Sequence, residues 1–155
     1  MQYQQEIHTN GYDCLDIRLR HLQDGGEREL RIGLLYVSVK QAYVVFTCLD
    51  EGFVHQSITD NLFAEFQSFR KPFEAQGWRF LCKGALRNCR PSGMGIQMSL
   101  GRRAYVFPKN RTPGICDLHD IFAPEAGISG QDCVLEQERF WQDYCRRIGL
   151  SPATK

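Results

Sequence analysis

The apolar residues of this chain change their repeat once, and that change sets the fold class. In Leu15-Asp16-Ile17-Arg18-Leu19-Arg20 apolar and charged residues alternate without exception, and Leu30, Ile32 and Leu34 keep the same two-residue step. A period of two is that of a strand with one buried and one wet face. Beyond Asp50-Glu51-Gly52 the step lengthens, with Leu62, Phe63, Phe66, Phe69 and Phe73 recurring at three and four residues. That is the period of an amphipathic helix. Asp24-Gly25-Gly26 between the first two runs tolerates positive φ and predicts a hairpin. From Leu35 to Leu49 β-branched and aromatic residues dominate around the polar break Lys40-Gln41, which predicts two further strands or one long bent one.

The helix is expected to start on the hydroxyls of Ser57-Ile58-Thr59-Asp60 and to stop at Gly77. Pro72 removes the hydrogen bond to Ser68 and predicts a kink. Trp78–Cys82 and Arg103–Phe107 read as short strands, the second ended by Pro108, with an irregular segment between them. A last helix over about 131–148 follows the pair Ser129 and Asp132, which resembles a capping box. It carries Val134, Phe140, Trp141, Tyr144, Cys145 and Ile148 on one stripe and is stopped by Gly149 and Pro152. The expectation is a single α+β domain over 1–155, a mainly antiparallel sheet with two amphipathic helices on one face.

A hydrophobic share of 43% and a net charge of +1 over 155 residues exclude a disordered, collagen-like or coiled-coil chain. The start Met1-Gln2-Tyr3-Gln4-Gln5-Glu6 lacks the basic flank and apolar core of a signal peptide, and no apolar run is long enough for a membrane span. A cytoplasmic protein is expected. The seven cysteines fit a reducing compartment, with Cys14, Cys48, Cys82 and Cys145 read as small core hydrophobes.

The near-zero charge is a cancellation. Residues 83–111 hold seven basic side chains and no acidic one, between flanks that are each net −3. The basic stretch is interleaved with Gly84, Gly93, Gly95 and Gly101, and glycines let backbone N–H groups approach a ligand that arginine forks grip. The candidate partner- or anion-binding residues are therefore Lys83, Arg87, Asn88, Arg90, Ser92, Arg102 and Arg103. The competing reading is that these cations pair with the protein's own acids.

Other chemistries find less support. Pro91-Ser92-Gly93-Met94-Gly95 lacks both the P-loop and the dinucleotide signature, and with no Gly-x-Ser-x-Gly around Ser92 it reads as a turn. With only Tyr105 and Phe107 near the arginines, nucleic acid is not an expected partner. Cys82, Cys89, Cys116 and His119 are ligand types for zinc, but the spacing Cys82-x6-Cys89 is too loose, and neither a metal nor a cofactor is expected. Cys89 between Asn88 and Arg90 has the electropositive setting of a nucleophile, with His119, His55 or His21 as a candidate base. Asp117 to Asp120 reads as a solvated strand edge, and Trp78, Phe140 and Trp141 as core.

Cys82-Lys83-Gly84-Ala85-Leu86-Arg87-Asn88, Pro91-Ser92-Gly93-Met94 and Gly101-Arg102-Arg103-Ala104-Tyr105 together resemble a pattern shared by small uncharacterised bacterial proteins. In size and α+β make-up the chain is also similar to many immunity proteins, which neutralise a neighbouring cell's toxin. Charge complementarity predicts a non-enzymatic protein that binds an acidic protein partner through the basic loop; the resemblance implies an immunity-type role as its most specific form and carries no catalytic residue. The alternative is a domain or enzyme that cradles a phosphate-bearing small ligand, with Cys89 or Ser92 near the reacting centre. Convergence of Arg87, Arg90, Arg102 and Arg103 on one pocket would favour that alternative.

Overall fold

The computed structural model describes residues 12–48 and 52–150. Asp50-Glu51, where the apolar period changes, the stop at Pro152 and the leading Met1–Glu6 lie outside them. Four strands form an antiparallel meander: β1 (Tyr12–His21), β2 (Glu27–Ser38), β3 (Gln41–Cys48) and β4 (Phe53–Thr59). A fifth, β5 (Trp78–Phe80), adds to the free side of β1, giving the order β4-β3-β2-β1-β5. Helix α1 (Leu62–Ala75) connects the two sheet edges. The Asp24-Gly25-Gly26 hairpin forms as expected, with Gly25 at φ 70° and the Gly26 N–H donating to Asp24 Oδ1 at 2.8 Å.

Register makes the alternation physical. Leu15 lies opposite Ile32, and Ile32 opposite Phe46, so the apolar residues of three strands share one face. Leu62, Phe63, Phe66 and Phe69 of α1 close over that face. Phe69 stacks on Phe46 at 4.5 Å between ring centroids, while Phe66 meets Phe80 edge-on at 5.5 Å and Phe122 at 5.2 Å. Each fully buried ring contributes about 1.5–3 kcal/mol.

Several local expectations are corrected. The α1 N-cap is Asn61, whose Oδ1 accepts from the Ala64 N–H, while Thr59 braces the Asn61 backbone. The residues preceding it are strand β4, which the sequence reading missed. Pro72 does not end α1, which runs on to Ala75. Ser68 and Pro72 both lie on its exposed side, so the missing hydrogen bond faces water.

The expected irregular segment is ordered. It contains a 3₁₀ turn at Lys83–Ala85, strand β6 (Cys89–Arg90) and helix α2 (Gly93–Ser99), followed by β7 (Arg103–Val106) and β8 (Leu118–Asp120). The last three strands form a second antiparallel sheet in the order β6-β7-β8. Helix α3 (Val134–Ile148) lies against α1 and β6. Its cap differs from the expected box. Ser129 and Asp132 form a turn just before the helix, and the Val134 N–H donates instead to Glu74 Oε1 of α1 at 2.9 Å.

That contact belongs to a buried polar node. Arg70 of α1 is 0% exposed. It donates to the Gly84 carbonyl at 2.9 Å and to Gln137 Oε1 of α3, and its Nε lies 3.3 Å from Glu74 Oε2. Gln137 donates to the Gly84 and Leu86 carbonyls at 2.7 and 2.8 Å. Gly84 has no room for a side chain, since a Cβ there would stand 2.7 Å from both Ile121 Cβ and the Ile121 carbonyl oxygen.

Removing one member of a buried ion pair strands the other without solvent. Arg70→Leu is expected to cost about 3–5 kcal/mol in urea unfolding. A loss below about 1 kcal/mol, the worth of an exposed pair, would show that the node does not hold the fold.

Candidate functional site

Four of the seven basic side chains in 83–111 are engaged by carboxylates of the same protein. Lys83 Nζ lies 2.6 Å from Glu125 and Arg90 3.9 Å from Glu138. Arg111 forks onto Asp117 at 2.6 and 3.0 Å. Arg102 is held hardest, 2.7 Å from Asp13 and 3.1 Å from Asp120, and it donates to the Tyr36 hydroxyl at 2.9 Å. Burial works against its charge, but the Tyr36 hydrogen bond and the Asp120 carboxylate outweigh it and hold its pKa above the ordinary value. It ties the second sheet to β1 and β2. Hydrogen bonds from Arg111 and Lys83 likewise hold the Asp117 and Glu125 carboxyls below their usual range.

Asp120 is therefore a structural partner of Arg102, where the sequence suggested a solvated edge. Ser92 caps α2 by accepting from the Gly95 N–H at 2.9 Å, and among the described residues no base reaches its hydroxyl. Cys89 is buried, and burial pushes its thiol up to about 12, as it does for Cys82. A thiol with that pKa stays protonated at neutral pH, so the nucleophile considered for this position is corrected to a core residue. The four metal-type residues are not gathered either: Cys116 is exposed beside Arg111, while Cys82 and Cys89 are in the core.

Arg87, Arg90, Arg102 and Arg103 do not converge. Arg90 lines a cleft of about 580 Å³ between α1, α2 and α3, stacked over Trp141 at 4.6 Å, and desolvation lowers its pKa. Arg87 lines a second cleft of about 520 Å³ on the other flank of α3. Arg102 and Arg103 line neither.

The second cleft brings together three cations left without a carboxylate. Among the described residues no carboxylate pairs with Arg87, Lys109 or Arg147, and all three line it. Arg87 donates to the Gln131 side chain, and Arg147 lies over Tyr144 at 5.7 Å. The two acids on its wall are neutralised on α3 itself, Glu136 by Arg139 at 2.9 Å and Asp143 by Arg146 at 3.3 Å.

The floor is aromatic. Phe107 meets Tyr144 at 4.8 Å and Phe140 at 5.8 Å, both edge-on. Phe140 and Trp141, expected in the core, are half-buried and face the two clefts. Asn88 fixes Phe107 by a reciprocal pair, its carbonyl accepting from the Phe107 N–H at 2.9 Å and its Nδ2 donating to the Phe107 carbonyl at 2.8 Å. Lys109 belongs to the basic segment without being among the candidate site residues, and the α3 residues Arg139, Tyr144 and Arg147 carry no weight as a site in the sequence. The i, i+3, i+4 spacing of the α3 residues was the signal that they share a helix face.

No protein-family model matches the chain, and no curated protein matches it in sequence. No helix among the described residues is long and apolar enough to cross a membrane.

Thiol chemistry checks this placement. In native protein near pH 7.5, iodoacetamide is expected to label exposed Cys116 first, while Cys82 and Cys89 label only after denaturation. Native labelling of Cys89 at a rate matching Cys116 would contradict its burial.

Proposed function

We propose that this is a non-enzymatic binding protein that takes an acidic protein partner on the face formed by the basic segment and α3. The observation that carries the reading is that Arg87, Lys109 and Arg147, which pair with no carboxylate among the described residues, all line one cleft with an aromatic floor. Unspent positive charge beside apolar surface steers an acidic partner into encounter and then holds it by burial. Asn88 serves as the brace of that floor. Lys83, Arg90, Ser92 and Arg102 support the surface from within, and Arg103 stands on exposed surface outside the cleft. The most specific form of the proposal is an immunity-type protein that blocks a toxin, acting in the cytoplasm; its support is the resemblance in size and α+β architecture.

An anionic small ligand is the second reading, favoured by the volume of the cleft, which lies within the roughly 300–1,000 Å³ of small-molecule sites. Both are tested by capture from native lysate at about 50 mM and about 500 mM salt, a range over which the screening length falls from above 10 Å to well below it. The expected result is a protein retained only at low salt by the wild type and lost from the charge-reversed triple variant Arg87→Glu, Lys109→Glu, Arg147→Glu. Capture by the triple variant equal to wild type would refute the surface, and saturable binding of inorganic phosphate without protein capture would transfer the cleft to the small-ligand reading.

A further inference from the structure

The lining of the second cleft specifies more than charge. From α3 it takes Glu136, Arg139, Phe140, Asp143, Tyr144 and Arg147, positions at successive three- and four-residue steps along one helix face. The cleft is therefore a groove running with the helix. Glu136 and Arg147 are eleven positions apart, and at about 1.5 Å per residue the groove is roughly 16 Å long. An extended chain advances about 3.3 Å per residue, so the groove matches about five residues of extended polypeptide.

Charge and apolar surface are laid out in order along it. Arg87, joined to Gln131 ahead of the helix, marks the N-terminal end, and Arg147 in the last turn marks the other. Phe140 and Tyr144 lie between, flanked edge-on by Phe107. The opposite wall is stiff: Pro108 follows Phe107, and Asn88 fixes the Phe107 backbone through both its N–H and its carbonyl. A groove held open in this way binds without first paying to order itself.

We infer that the groove takes a short extended acidic segment of the partner, with carboxylates at both ends engaging Arg87 and Arg147 and an apolar side chain between them seated on Phe107, Phe140 and Tyr144. The inference rests on the acidic-partner reading and narrows it to a linear motif. Free phosphate matches the cations but leaves the aromatic floor unused. A uniformly acidic surface meets the charge but has no anchor.

The test is fluorescence anisotropy with labelled hexapeptides at about 50 mM salt, where surface charge is weakly screened. One probe is Asp-Glu-Phe-Leu-Glu-Asp, the other the same peptide with Gly-Gly replacing Phe-Leu. Seating one large apolar side chain is worth about a tenfold change in Kd or more, so the apolar probe is expected to bind at least about tenfold tighter. Arg147→Ala and Arg87→Ala should each weaken it several-fold, and their effect should shrink in high salt; circular dichroism confirms that each variant is folded. Phosphate at millimolar concentration should compete poorly.

Equal affinity for the two probes would overturn the apolar anchor. Binding lost on Arg103→Ala but kept on Arg87→Ala and Arg147→Ala would overturn the groove, and either result would leave the acidic-partner reading standing. Displacement by millimolar phosphate would overturn the segment in favour of a simple anion site. If neither peptide binds while salt-sensitive capture of a protein persists, the linear motif alone fails; if both are absent, the partner reading fails with it.

Discussion

A guanidinium sealed from water dictates how the three parts of this molecule meet. Burying an unpaired cation costs several kcal/mol even after relaxation, so Arg70 is compatible with folding only if acceptors are brought to it from every side. Its own helix provides Glu74, one turn on, and the π-face of Phe66 at 5.0 Å. The remaining acceptors are remote in sequence: the Gly84 carbonyl and the Gln137 side chain. The 3₁₀ turn and α3 are thereby pulled to fixed places against α1, and Glu74 finishes the job by capping α3. The groove is a by-product of this geometry. Arg87 and Asn88, which form one wall, follow directly after Leu86, the residue closing the turn, whose carbonyl accepts from Gln137. The Arg87 N–H is stitched to Asp132 at 2.9 Å just before α3 begins. Both walls hang from one node.

The +7 segment shows why charge counted along a chain misleads about charge presented to a partner. A segment rich in arginine within a neutral protein meets the acids that balance it as soon as the chain folds, and Asp13, Asp117, Asp120, Glu125 and Glu138 come to it from four separate regions. Among the described residues, three cations of the segment are left without a carboxylate: Arg103, on exposed surface, and Arg87 and Lys109, which line one groove together with Arg147 from outside the segment. The two readings open at the sequence level, internal pairing and external grip, thus apply to different residues. Arg102 pairs internally, while Arg87 and Lys109 do not pair with a carboxylate among the described residues.

The elements governed by local periodicity were readable in advance. Strands β1 and β2, their Asp24-Gly25-Gly26 hairpin and the helical runs of α1 and α3 follow from apolar spacing, because burying one face is what each needs on its own. Features fixed by distant contacts were not readable. No rule of spacing marks Gln137, a polar residue inside an amphipathic helix, as buried, because its burial depends on a carbonyl 53 positions away. Helix α2 escaped notice since it buries no residue and its two methionines, Met94 and Met98, are exposed, leaving no periodic stripe. The glycines misled in a different way. Gly84 and Gly101 looked like openings for a ligand, yet Gly84 is tight against Ile121, and Gly101 sits at φ 76° where a Cβ would stand 2.8 Å from Asn61 Oδ1. Much of the Cys82 to Tyr105 pattern is thus accounted for by close packing and capping within the fold, including the buried Cys82 and Ala104.

Internal pairing also decides which cations are free to meet an external anion. A side chain committed to an internal ion pair at 17% exposure, as Arg102 is, cannot turn to an external anion without stranding Asp13 and Asp120, so the cost of recruiting it exceeds what an exposed pair returns. Arg87 faces no such trade, because its internal acceptor is the neutral Gln131. Exchanging a neutral acceptor for a carboxylate strengthens the bond, since charge-assisted hydrogen bonds are roughly twice as strong as neutral ones. Arg147 stands in the same position, with a weak contact to Tyr144 as its alternative. The acidic occupant proposed for the groove then needs no rearrangement of the fold. It follows from which cations the fold has already satisfied and which it has left to be satisfied from outside.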